Sequence, residues 1–218
     1  MDDNLQDTLN DLLRSGTESN PALNALLADY VRYHVVFIVV AGLFLIGLAA
    51  LSAFSWLKYR GAEKATAQRR TYLGFGIVSL LVALMLALLI AANVSSVLDP
   101  RQGFAGAVGL LSGAGDAELR QAFTIWLQSG AAEVPPTVQA AIDERLAWQA
   151  PKAGICTLLL AAFAVLSFFC WRAFLRKPRA LSLLAGLLTA LGCLLLMLMV
   201  IGNTQGAFAP LALTLFYN

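Results

Sequence analysis

The chain has 218 residues, of which 59% are hydrophobic and 13% charged, against a charged fraction of about 25% in soluble globular domains. That balance excludes an ordinary soluble domain, and a net charge of +2 is too small to point to nucleic acid. Cys156, Cys170 and Cys193 all sit in apolar runs with no CxxC pair, which excludes a zinc cluster or a disulfide framework and reads as packing.

The first 20 residues carry Asp2, Asp3, Asp7, Asp11 and Glu18 and lack a basic start before an apolar core, so no signal peptide is expected. Leu5, Leu9, Leu12 and Leu13 follow the i, i+4, i+7, i+8 pattern of one helical face. Ser15-Gly16 marks a break. Pro21 suits the first position of a second helix, with Leu23, Leu26, Leu27, Tyr30 and Val31 on one side. These outer helices occupy residues 3–33, and an uncharged span follows at about 35–57.

A basic loop leads to the second span, about 71–98. Ser79, Ala83, Ala87, Ala91 and Ser95 recur there every four residues, a seam that lets helix backbones approach. Asn93 and Pro100 mark an outer turn. A second set of outer helices is expected at 116–149, with Leu119, Phe123, Trp126 and Leu127 and then Val138, Ala141, Ile142 and Leu146 as apolar faces. Spans at about 153–171 and 180–202 complete the four, each near the roughly 20 apolar residues a bilayer core requires. The fourth carries a seam of Ser182, Gly186 and Ala190. Asn203 and Pro210 mark its outer turn, and an apolar tail runs over 203–218, on the membrane surface or packed in the bundle.

Basic residues set the direction. Lys58, Arg60, Lys64, Arg69 and Arg70 fill one short loop, and Arg172, Arg176, Lys177 and Arg179 the other. The first 34 residues have two basic residues against six acids, and residues 99–152 have four against six. The short loops therefore read as cytoplasmic, and both termini as extracytoplasmic. Trp56 and Trp171 stand beside the basic loops, where interfacial aromatics belong.

The chain also repeats. A shift of 115 residues lays Glu18 on Glu133, Pro21 on Pro136, Ser52 on Ser167, Phe54 on Phe169 and Trp56 on Trp171. A shift of 110 lays Gly76 on Gly186, Asn93 on Asn203 and Pro100 on Pro210. The units are residues 1–110 and 111–218, run in the same direction, and each carries an extracytoplasmic helical hairpin; such repeats relate by a pseudo-twofold axis along the membrane normal.

No Asp, Glu, Lys or Arg lies within the spans, which argues against a proton relay. Nucleophile, phosphate-loop and metal-binding motifs are absent, so no catalytic residue, cofactor or metal is expected. His34 is the only histidine, has Gln149 as its counterpart, and reads as an interfacial side chain. The duplicated acids Asp29 and Glu144 read as solvated. Trp126 and Trp148 replace Leu12 and Tyr33 of the first unit and are the expected partner contacts.

The sequence thus predicts an all-α integral membrane protein of four transmembrane helices, built as two tandem like-oriented repeats. Its expected role is that of a non-enzymatic accessory or interaction subunit of a plasma-membrane complex. The partners would be lipid and another membrane protein or a second copy, as a homo-oligomer. The alternative is an oligomeric channel or passive transporter of a small solute or ion. Arg in preference to Lys, with abundant Ala, Leu and Gly, fits a bacterial plasma membrane.

Overall fold

The computed structural model describes residues 4–15, 20–63, 66–109, 111 and 116–217. Gly16, Glu18, Lys64 and residue 3, used in the assignments above, lie outside them. Among the described residues there are eight helices and no strand: α1 (Asn4–Arg14), α2 (Pro21–Gly61), α3 (Ala67–Leu98), α4 (Pro100–Val108), α5 (Ala117–Ser129), α6 (Pro136–Arg176), α7 (Ala180–Phe208) and α8 (Pro210–Phe216). Four of these, α2, α3, α6 and α7, are long and apolar enough to cross a membrane.

Two boundaries differ from expectation. The second outer helix and the first span are one helix, α2, of 41 residues. At about 1.5 Å per residue that is about 60 Å, twice a hydrocarbon core of about 30 Å. α6 is equally long and joins the outer helix expected to end at 149 to the span expected from about 153, with Pro151 inside it. Proline removes one backbone hydrogen bond there, but the apolar run that follows leaves its neighbours no water to turn to, and the helical bonds on either side persist. Two short helices were not anticipated, α4 and α8, each opened by a proline at its first position.

The chain divides into two compact units. The first takes the chain up to Ile38, Ala92–Pro151, and everything from Asn203. Its core joins Leu5 and Leu9 of α1, Leu23, Leu26 and Tyr30 of α2, and Phe104 and Val108 of α4 to Phe123, Trp126 and Leu127 of α5 and Val138 of α6. The faces of α1, α2, α5 and α6 are those the helical period indicated, whereas that of α4 was not. The tail is packed, not surface-lying: Leu211, Ala212 and Leu215 of α8 are buried in the same core.

Local chemistry sets the helix ends. Asn20 caps α2, its Oδ1 accepting from the Leu23 amide at 2.9 Å, while its Nδ2 donates to the Leu127 carbonyl at 2.8 Å, near the end of α5. Gly130 closes α5 at φ +63°, a left-handed conformation that costs glycine nothing. Asp99 caps α4 through the Gln102 amide, and Asp116 caps α5 through that of Glu118.

The second unit is Val39–Ala91 with Lys152–Gly202. Many large apolar side chains here are exposed, among them Leu43, Ile46, Leu88 and Leu158, as lipid-facing residues are. Three glycines here lie against aromatic rings. A Cβ on Gly76 would stand 3.2 Å from the Trp56 indole, one on Gly186 2.9 Å from that of Trp171, and one on Gly192 2.6 Å from the Phe163 ring. The Ser52 hydroxyl donates to the Gly76 carbonyl at 3.0 Å. Ser79 and Thr189 each return a hydroxyl to the carbonyl four residues back, on Phe75 and Ala185. Of the seam residues, Ser79, Ala83 and Gly186 are buried, while Ala87, Ser182 and Ala190 are half-buried. Ala91, also in this unit, and Ser95, in the first, are exposed.

Candidate functional site

The first unit holds a cavity of about 390 Å³ walled by Tyr30, Tyr33, His34, Leu213, Phe216 and Tyr217. Helical spacing places the first three on neighbouring faces of α2, and the packed tail supplies the rest. His34 sits edge-on to both tyrosines, its ring centroid 4.4 Å from that of Tyr30 and 5.3 Å from that of Tyr33. Tyr30 in turn meets the Phe104 ring edge-on at 5.4 Å.

His34 Nδ1 stands 2.6 Å from Asn93 Oδ1. Facing an amide oxygen, Nδ1 is the donor, which leaves the lone pair on Nε2. That nitrogen is buried without a hydrogen-bond partner. The His34–Asn93 contact ties α2 to α3. Asn93 therefore acts across to another helix five residues before α3 ends. Gln205 Nε2, donating to the Tyr33 carbonyl at 3.2 Å, is a matching tie between α7 and α2.

Asp29 was expected on a solvated face, and the structure overturns this. It is 6% exposed, and its Oδ2 accepts from the Ala212 amide at 2.8 Å. Burial pushes its carboxyl above the ordinary value, opposed by the backbone hydrogen bonds of Ala212 and Leu211 and by Arg32 at 3.5 Å. Asp29 thus caps α8 from another helix, where Ala209 at the N-cap offers no side chain of its own. Arg145 holds the other end of α8, donating to Thr214 Oγ1 at 3.1 Å and the Tyr217 carbonyl at 3.0 Å. Burial lowers its pKa. Neither role has a local signal, since the partners lie far along the chain. Glu144, by contrast, is exposed as expected.

The two tryptophans expected at a contact surface separate. Trp126 is 1% exposed, with its indole N–H donating to the Ala131 carbonyl at 2.9 Å. It is a core residue because it falls on the buried stripe of α5 with Leu119 and Phe123. Trp148 is 65% exposed beside a shallow polar cavity with Glu144, Arg145 and Gln149. Pro100 and Pro210 both begin short helices, while Asn93 and Asn203 lie inside α3 and α7.

Among the described residues no three His, Cys, Asp or Glu side chains come together as a metal site. Compared with known protein families, with curated proteins and with solved structures, the chain matches none.

Proposed function

We propose that this chain is a non-enzymatic accessory or interaction subunit of a plasma-membrane complex, and that its first unit is an extracytoplasmic docking module. The observation that carries this is the core of that unit. Its short helices bury apolar faces against one another, while Trp148 is 65% exposed beside Glu144 and Arg145. Exposed aromatics beside charged groups are typical anchors of interfaces.

A photo-crosslinking amino acid at position 148 tests this in intact cells. One discrete protein adduct supports docking. An adduct with lipid alone returns Trp148 to the aromatic belt of the interface and overturns the reading.

The same proposal includes the orientation and the duplication. The nine basic residues in the two short loops support cytoplasmic bends. In support of a tandem repeat, the Trp56–Gly76 contact recurs as Trp171–Gly186 at the two sequence shifts. The hydroxyl bonds of Ser79 and Thr189 recur at the second of them. Membrane-impermeant thiol labelling of Asp116→Cys but not Lys64→Cys in intact cells is the expected result, and the reverse pattern refutes the orientation. Self-association is a second reading favoured by Ala91 and Ser95, which stay exposed at one end of the α3 seam. A homo-oligomer seated there could conduct a small solute or ion, and flux in liposomes of pure protein distinguishes this from docking.

A further inference from the structure

The second unit contains a groove of about 490 Å³ between α3, α6 and α7. Gly74, Val78, Trp171 and Leu187 make its wall, and Arg70 and Thr71 stand at one end. The wall has a fixed shape, because Trp171 is wedged over Gly186 and meets Phe75 edge-on at 4.7 Å. On α7 its lining reaches Ala190, about 15 Å past the start of the span near residue 180 at about 1.5 Å per residue, about half of a 30 Å hydrocarbon core. It therefore begins at the basic end of the spans and stops about where one leaflet stops.

A groove of this kind in a spanning protein has no water to fill it, and an apolar void forfeits the contacts of its lining. A methylene has about the volume of a water molecule, about 30 Å³, so the space takes roughly sixteen of them, the bulk of one acyl chain. The headgroup of a lipid so placed lies at the Arg70 end. Among the described residues the Arg70 guanidinium makes no ion pair, and Arg172 and Arg176 follow closely on Trp171 in sequence. Positive charge at that depth selects an anionic headgroup.

We propose that this groove is a binding site for a single anionic glycerophospholipid, with one acyl chain against Gly74 and Val78 and the phosphate held by Arg70. The proposal rests on the four long helices spanning a bilayer, and resistance of the protein to alkaline carbonate extraction checks that separately. Extraction by carbonate would remove both.

The test is native mass spectrometry of the purified full chain, titrated with phosphatidylglycerol or with phosphatidylcholine of the same acyl chains. One phosphatidylglycerol is expected to be retained, with a preference of about fivefold for each basic group engaged. Arg70→Gln should bring phosphatidylglycerol down to the phosphatidylcholine level. Gly74→Leu should displace both lipids, because a Cβ there meets nothing within 4 Å and the side chain enters the groove without disturbing the helices. Gly42→Leu, also in open space on a span, should change neither. Equal retention of the two lipids by the wild type, unchanged selectivity in Arg70→Gln, or undiminished binding in Gly74→Leu would each overturn the proposal.

Discussion

Asp29 offers the sharpest test of how the first unit is held together. Its carboxylate is the acceptor for the Ala212 amide at 2.8 Å. Asp29→Ala leaves that amide buried and unmet. Loss of a helix cap costs about 1 kcal/mol and up to about 2, and hydrogen bonds to charged groups contribute about 1.5–3. The cost of burying the charge, which raises the Asp29 pKa, offsets part of this. A net loss of about 1–2 kcal/mol follows, or roughly five- to thirtyfold in the opening equilibrium of α8. Hydrogen exchange over residues 210–217 at neutral pH, in detergent, reads it directly. Asp29→Asn keeps an oxygen acceptor and removes the charge, so its α8 should be protected at least as well as in the wild type. The pH dependence has a fixed sign. A folded-state pKa above the ordinary 3.8 means that the folded state binds the proton more tightly. The added stability is complete below 3.8 and is lost as pH rises through the raised value. After correction for intrinsic exchange, wild-type protection should fall across that window while Asp29→Asn stays flat. Exchange in Asp29→Ala within twofold of wild type, or Asp29→Asn opening as readily as Asp29→Ala, would refute the capping argument.

Three further outcomes follow from the packing. Trp126→Ala should cost about 3–5 kcal/mol, seen as early chemical unfolding of the first unit, whereas Trp148→Ala, removing an exposed ring, should leave the midpoint nearly unchanged. Gly186→Val should destabilise the second unit by about 1–3 kcal/mol through overpacking against Trp171, lowering the thermal midpoint in detergent, while Gly42→Ala, which meets nothing within 4 Å, should match or exceed the wild type. A double-mutant cycle of His34→Ala and Asn93→Ala should give a coupling of about 1 kcal/mol, and a value near zero would mean that the 2.6 Å contact does not tie the helices.

The apolar faces of α1, α5 and the early turns of α2 and α6 were legible because a 3.6-residue period needs no knowledge of the partner. The spans were legible for the same reason: lipid imposes one rule on every residue it touches. Part of what escaped was decided by distant residues. Asp29 looked solvated because its partner Ala212 lies 183 residues away. Trp126 was placed on a surface because it differs from Leu12, yet its spacing from Leu119 and Phe123 already put it on the buried stripe of α5. α4 was missed although Asp99-Pro100 is a helix-start signal followed by Phe104 and Val108 one turn apart. Length hid it, since nine residues make little more than two turns. The join between the outer helix and the third span was missed because the two were bounded by hydropathy, which does not report helical continuity through Pro151.

Asn20 carries a consequence for α2 out of proportion to its size. One amide group fixes the place where that helix begins by reference to the place where α5 ends. A shift of a single residue in that starting point would rotate everything downstream by about 100°. Asp29 would then no longer lie under α8, and His34 would turn away from Asn93. The rotational phase of this part of the rod is thus indexed by two hydrogen bonds at its tip, and the contacts further along inherit their alignment from them.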